Sequence, residues 1–354
     1  MSLAYALPLL LLLIAIANFF LLRKPNTTSQ LSQSVGVILP LRNEAENVEG
    51  LITTLFEQKG DLHFYLLDDN SEDNTFELLQ QFVAGDRRFT VLEGAALAPG
   101  WIGKTWALQQ LFENSTEEIV VSLDADVRLS TDAINRAITT LNLHKLDFIS
   151  PYPRQLAVSF GERLIQPLLQ WSWLTTVPLR IAERSASTSI AVANGQFFVV
   201  RRSALEKIGG YYPIKQAVID DVFLARALIK SGSLGTVING ADIAKCRMYT
   251  SWDEIKAGYG KSLSQAFGSN FATTCVITFL FLSSIAPLIL GLLGDPSGWL
   301  GYFLIIATRM LSAVKSRGRI IDCLLHPISV LALIYLIIHS YSVRGTVTWK
   351  GRTL

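Results

Sequence analysis

Ile119-Val120-Val121-Ser122-Leu123-Asp124-Ala125-Asp126 is the stretch that decides the fold of this 354-residue chain. An apolar run of strand length stops at two carboxylates spaced by one residue. Strands of a parallel sheet are covered on both faces and read as continuous apolar runs, and ligands of such sheets bind at the carboxyl ends of the strands. Asp124 and Asp126 therefore point from a strand end toward a cleft.

The same alternation extends outward on both sides. A polar linker at 26–34 is followed by strand candidates at Val35 to Leu39, Phe64 to Leu67, Thr90 to Leu92, Ile119 to Leu123 and Phe148 to Ile149. Between them Glu44 to Gln58, Thr75 to Val83, Lys104 to Phe112 and Thr131 to Leu141 have helical spacing. This predicts an α/β domain over 35–250: a mostly parallel sheet with helices on both faces.

Two further acidic clusters accompany Asp124 and Asp126. Asp68 and Asp69 end the second strand and open an Asn-Ser-Glu-Asp-Asn-Thr turn, where either acid is suited to accept from a base N–H or a ribose hydroxyl. Asp220 and Asp221 precede a helix-compatible run, in a first turn where the helix dipole favours the anion. They suit either that structural role or a general base taking a proton from an acceptor hydroxyl. Lys104 follows Gly103 at a helix start, within reach of a nucleotide or diphosphate. Paired carboxylates at 124 and 126 suit Mg or Mn held jointly with phosphate oxygens, although Asp-x-Asp alone is a weak signal. The simpler alternative has these acids capping the next helix through Ser130 and Asp132.

Half of the residues are hydrophobic and only 17% are charged, low for a purely soluble protein. Leu3 to Leu22 is uncharged, long enough to cross a bilayer, and stops at Arg23-Lys24-Pro25, so residues 1–24 are expected to form a transmembrane anchor. With no Lys or Arg before it, the positive-inside rule places the catalytic part in the cytoplasm. Residues 273–342 hold further spans, Thr274 to Leu293 and Leu324 to Tyr341, with a shorter Trp299 to Val314 carrying Arg309 between them. Three C-terminal spans are slightly favoured over two, yet in either arrangement one of the basic stretches, Lys315/Arg317/Arg319 or the 343–354 tail, violates the rule. Two segments suit the membrane interface or an ordinary packed helix: Ser159 to Ile181, interrupted by Pro167 and Pro178, and an amphipathic stretch at 251–272. Three scattered cysteines indicate neither disulfides nor zinc and read as packing residues. No basic block with interleaved aromatics argues for nucleic acid.

As an ordered set, Pro40, Arg42-Asn43-Glu44, the turn from Asp68 to Thr75, Gly103-Lys104, Asp124-Ala125-Asp126, Asn194-Gly195 and Asp220-Asp221 resemble membrane-anchored members of glycosyltransferase family 2. The Pro-Gly-Trp-x-Gly-Lys stretch at 99–104 and the tail Val347-Thr348-Trp349-Lys350-Gly351-Arg352 resemble its branch acting on hopanoid, carotenoid and ceramide-type lipids. The resemblance implies a nucleotide-diphospho-sugar transferase fold of GT-A type. It implies inverting transfer of a single sugar from a nucleotide-sugar donor, a UDP-sugar, to a lipid acceptor such as a carotenoid, hopanoid or glycerolipid, at the bacterial inner membrane. Carried over, it puts Pro40, Arg42, Glu44, Asp68, Asp69, Lys104 and Asp124 on the donor, Asp126 with Asp124 on the divalent cation, and Asp221 with Asp220 in the base position. The family's usual Glu-Asp at that position is Asp-Asp here. The Gln-x-x-Arg-Trp motif of processive polysaccharide synthases has no match, which favours one transfer over polymerisation. A processive synthase and a non-catalytic membrane scaffold or lipid-transport subunit are the rival readings.

Overall fold

The computed structural model describes residues 3–344 and the backbone at 348–349 and 352–353. Helix α1 (Leu3–Leu21) leads through the linker into β1 (Val35–Leu41), α2 (Ala45–Phe56), β2 (Leu62–Asp68), α3 (Thr75–Val83), β3 (Phe89–Glu93), α4 (Gly103–Asn114) and β4 (Ile119–Leu123). Then come β5 (Val127–Leu129), α5 (Ala133–Leu143), β6 (Phe148–Tyr152), β7 (Arg154–Gln155), α6 (Phe160–Thr176), the short α7 (Leu179–Ala182), β8 (Phe197–Arg201), α8 (Arg202–Ile208), α9 (Asp220–Lys230), β9 (Gly235–Asn239) and β10 (Ala244–Cys246). The chain ends with α10 (Trp252–Ala266), α11 (Asn270–Leu280), α12 (Ala286–Leu292), α13 (Pro296–Lys315), α14 (His326–Ser342) and a two-residue pair, β11 (Thr348–Trp349) and β12 (Arg352–Thr353).

Seven strands form the central sheet in the order β3-β2-β1-β4-β8-β6-β9. The pairs β1 with β2, β1 with β4, β2 with β3 and β6 with β9 are parallel, Val37 facing Val121 across β1 and β4. All five residues of β4 are buried, as a central parallel strand requires. Its neighbour β8 runs antiparallel, Leu123 opposite Phe197. Strands β8 and β9 and the small β5-β10-β7 sheet fall outside the apolar runs that predict strands from sequence. One apolar layer, with Val48, Leu51, Ile52 and Ile138, covers one face; Leu108, Leu111, Leu224 and Leu228 cover the other.

The turns after β1 and β2 are built alike, each with an Asn in the left-handed region, Asn43 (φ 51) and Asn70 (φ 55). Asn tolerates this conformation better than most side chains. Arg42 locks the two turns together, donating from Nη1 to the carbonyls of Asp69 (2.7 Å) and Asn70 (2.5 Å).

Four helical stretches are long and apolar enough to cross a membrane: Ala4–Leu21, Asn270–Leu292, Pro296–Lys315 and Ile320–Ser342. The middle C-terminal segment is therefore full length, with Arg309 only 2% exposed. Helices α1 and α13 run parallel. Gly301 lies against the Ala4 carbonyl at one end, and Lys315 donates to the Phe19 carbonyl at the other. Close backbone approach at glycine is a common way for helices to associate in lipid.

The segment from Ser159 folds as one helix despite Pro167. A capping box starts it, Ser159 Oγ accepting from Glu162 N and Glu162 Oε2 accepting from Ser159 N. Arg247 pairs with Glu162 at 2.9 Å, tying the helix start to the strand end of β10. The 251–272 stretch contributes α10, whose Ile255 and Tyr259 pack with Leu164 and Ile165 of α6 and Leu336 of α14.

Candidate active site

A cleft of about 1130 Å³ opens at the carboxyl ends of β1 and β4. One wall carries Pro40, Arg42, Glu44, Lys104, Asp124 and Asp126; the far wall carries Leu169, Trp173, Tyr249, Tyr259, Leu263 and Phe267 from α6, α10 and the segment between β10 and α10. Asp220 and Asp221 lie in the cleft as well, in the first turn of α9.

Lys104, the second residue of α4, joins two acidic clusters that are distant in sequence. Its Nζ lies 2.9 Å from Asp124 Oδ1 and 3.3 Å from Asp220 Oδ2. Burial alone would lower the lysine pKa, but Asp124, Asp220 and Asp221 outweigh it and hold Lys104 firmly charged. Burial raises Asp124 while Lys104 pulls it back down. Asp221 accepts from Gly195 N at 2.8 Å and from Val222 N at 2.7 Å. Even so, burial and the neighbouring Asp220 push it up to about 7, a value suited to a general base near neutral pH.

Asp126 Oδ2 accepts from the Cys246 thiol at 3.0 Å, and Cys246 Sγ in turn accepts from Gln196 Nε2 at 2.9 Å. Burial and the Asp124 charge push Asp126 up to about 6. Its buried Oδ1 has no hydrogen-bond partner, as expected of a carboxylate oxygen waiting for a cation. No group of three or more His, Cys, Asp or Glu side chains assembles as a cation site among the described residues. Asp126 and Asp124 are the residues that would hold a divalent cation, and Mg is commonly held by only one or two protein carboxylates.

The helix-capping alternative for these acids does not match the geometry. Asp132 is the N-cap residue of α5 without a side-chain cap bond, while Asp124 and Asp126 turn to Lys104 and Cys246. The first cluster is placed differently. Asp68 accepts from Ser71 N at 3.0 Å and from the Ser71 hydroxyl, closing its turn. Asp69 is 1% exposed, and neither acid is part of the cleft wall, unlike Pro40, Arg42 and Glu44. The structure thus gathers Lys104, Asp124, Asp126, Asp220 and Asp221, and leaves Asp68 and Asp69 beneath the turn that Arg42 clamps.

Cys246, read from sequence as a packing residue, is a direct partner of Asp126. Lone cysteines carry no pattern, so only the pairing of β10 with β5 reveals it: Cys246 faces Val127, next to Asp126. The far wall was equally hidden, because Trp173, Tyr249 and Tyr259 meet only when α6 and α10 pack together.

Residues 36–209 match the family model described as Glycosyl transferase family 2. Curated relatives include a 4,4'-diaponeurosporenoate glycosyltransferase of Staphylococcus aureus (strain bovine RF122 / ET3-1). It is 22% identical over 346 residues, which cover 93% of this chain and 90% of the relative. Among solved structures, the mannosyltransferase PcManGT from Pyrobaculum calidifontis, in complex with GDP-Man and Mn2+, has a TM-score of 0.60 at 18% identity, over 95% of this chain and 94% of that one.

Proposed function

Since the chain carries a glycosyl transferase family 2 domain and is a glycosyltransferase with the GT-A fold, we propose that it moves a single sugar, with inversion, from a nucleotide-diphosphate sugar to a hydroxyl of a membrane lipid. The observation that carries this reading is the cleft itself. It runs from the charged cluster at the strand ends to an apolar wall made by α6 and α10, the helices that pack against the candidate spans.

The donor diphosphate lies against Lys104 and the start of α4, where the ammonium and the helix N-terminus both favour anions. Asp126, with Asp124, would hold Mg or Mn there, and a bound divalent cation would supply charge neutralisation for the leaving diphosphate. Lys104 exchanges part of its pairing with Asp124 for the phosphates. Asp221 takes the proton of the acceptor hydroxyl as that oxygen bonds to the anomeric carbon and the nucleoside diphosphate departs from the opposite face. One displacement of this kind inverts the anomeric centre. Asp220, held by Lys104, keeps negative charge beside Asp221 and so sustains its basicity.

A carotenoid, hopanoid or glycerolipid suits the apolar wall, and the Staphylococcus aureus relative is named for a diaponeurosporenoate acceptor. The donor is taken as a UDP-sugar, although the fold neighbour holds GDP-Man. Arg23 and Lys24 follow α1 after Leu22, which supports a catalytic domain on the cytoplasmic side of a bacterial inner membrane.

The test is product analysis by mass spectrometry. Purified full-length protein in lipid nanodiscs is supplied with UDP- and GDP-sugars, Mg or Mn, and extracted lipids. One added hexose mass on a lipid, only with a divalent cation, is the expected result; a ladder of masses or transfer to water-soluble sugars alone would overturn the reading.

A further inference from the structure

The apolar stretch Ile320–Ser342 is long enough to cross a membrane, yet both of its ends rest on the catalytic domain. At its start Asp322 pairs with Arg163 in the first turn of α6, and His326 packs edge-on against Trp171 of the same helix. Further along, Tyr335 stacks on Trp252 at the start of α10. At its end His339 and Val343 lie against Gly260 of α10, and the Tyr341 hydroxyl bonds Thr273 in the first turn of α11. Arg344 then lines a pocket with Gly100, Trp101 and Gln216 of the catalytic domain. Helix α14 therefore lies along α10 for much of its length, where a crossing helix would leave the domain behind.

The other candidate spans behave differently. The Ala4 end of α1 and the Gly301 end of α13 meet each other at the far side, with Gly298 against Gly291 and Pro287 of α12. Their opposite ends reach the domain, Arg23 pairing with Glu183 and Asn239 donating to the Lys315 carbonyl.

One stripe of α14 and the turn before it is largely exposed: Leu324, Ile328, Leu331 and Ile338, with Tyr335 beside Trp252, each 47–61% exposed and spaced by four and three residues. That spacing puts them on a single face. Arg319 precedes the stripe and Arg344 follows it.

We propose that α14 does not cross the bilayer but lies in its surface, with this stripe in the hydrocarbon boundary, the flanking arginines on anionic headgroups, and residue 344 on the same side as the catalytic domain. A long apolar face flanked by basic residues is the composition of an interfacial helix. The partner is the lipid surface itself, because the stripe is apolar and exposed like Phe281, Leu282 and Ile289 of the candidate spans and the arginines at both ends are positive. The arrangement also removes the conflict in the charge pattern. With three crossings, by α1, α11–α12 and α13, both Lys315/Arg317/Arg319 and Arg344 fall on the domain's side.

Single cysteines test it in the full chain, on a Cys275→Ser background that retains donor binding. Lys59→Cys marks the catalytic domain, Leu293→Cys the turn between α12 and α13, and Arg344→Cys the end of α14. With a membrane-impermeant maleimide, positions 59 and 344 should react in one vesicle orientation and 293 in the other. If 344 reacts with 293, the helix crosses and the proposal fails; if 59 and 293 react together, it fails as well. Bimane at Leu324→Cys, Leu331→Cys and Ile338→Cys, quenched by lipids brominated mid-chain, reads depth independently. Quenching equal within about twofold is expected of a surface helix lying level, whereas a several-fold maximum at 331 would mark a crossing.

Discussion

The Cys246 thiol donates to Asp126 Oδ2 at 3.0 Å, on the carboxylate whose other oxygen is unpaired. This bond favours the charged form of Asp126, which burial and Asp124 together push up to about 6. Cation binding needs that charged form, so it is lost as pH falls through this range. Cys246→Ala removes a hydrogen bond opposing the rise and should move the acid limb of Mn-dependent nucleotide binding to higher pH, by up to about one unit. Calorimetric titrations between pH 5 and 8 measure it, and an unmoved limb would separate Cys246 from the cation site.

Asp126→Asn should lose metal-dependent donor binding yet fold more stably at neutral pH. An acid with a folded pKa of about 6, against roughly 3.9 unfolded, binds protons more tightly when folded. Its contribution to stability is greatest at low pH and is withdrawn as pH rises from about 4 to 6. The variant should therefore match wild type in Tm near pH 4 and exceed it by a few degrees at pH 7.5. A lower Tm at both values would contradict the burial argument.

Asp221→Asn should reduce transfer by roughly 10²–10⁴-fold, the usual worth of a positioned base, while leaving metal-dependent UDP binding in place. Asp220→Asn should cost less and move the acid limb of kcat/KM to lower pH, because the like charge raising Asp221 is gone. If Asp220→Asn proves the more damaging in transfer with Asp221→Asn near normal, the two acids exchange roles.

Lys104→Met leaves Asp124 and Asp220 without their shared cation. Donor affinity should fall by ~10–100-fold, the worth of a charge-assisted hydrogen bond, with a lower Tm at pH 7.5. Unchanged donor affinity would mean that Lys104 only holds the two aspartates together.

Gly258→Ala tests the apolar wall. A Cβ at 258 would overlap the Tyr249 hydroxyl, forcing that ring or α10 to shift. The expected result is a higher KM for the lipid with donor affinity preserved, measured in the same nanodiscs. A change confined to the donor would place the acceptor elsewhere.

Most of the parallel part of the sheet was legible because β1 and β4 are largely apolar runs, and β4 ends where the carboxylates begin. Strand β8 escaped because Phe197 to Arg201 follows a stretch with no helical pattern, so nothing in the βαβ alternation announces an antiparallel insertion. At the site, Lys104, Asp124 and Asp220 could be named from sequence, but the bridge among them could not. It depends on α4 and α9 starting on the same side of the sheet, more than 110 residues apart along the chain. Asp68 shows the opposite case: a strand end rich in acids where Ser71, not the cleft, receives the carboxylate. Helix α6 was obscured by Pro167, since a proline inside an apolar stretch normally ends a helix, and here the capping box and the tie from Arg247 hold it through.

The parallel seating of α1 on α13 separates partners by 296 residues, from Phe19 to Lys315. During synthesis, at roughly 5–20 residues per second, α1 therefore waits about 15–60 s for its partner. Over that interval the catalytic domain completes its sheet while tethered by a single helix, and the bundle closes over an enzyme already folded. Early arrest of translation would thus release a domain that is assembled but only loosely held at the bilayer, its apolar wall still lacking α10.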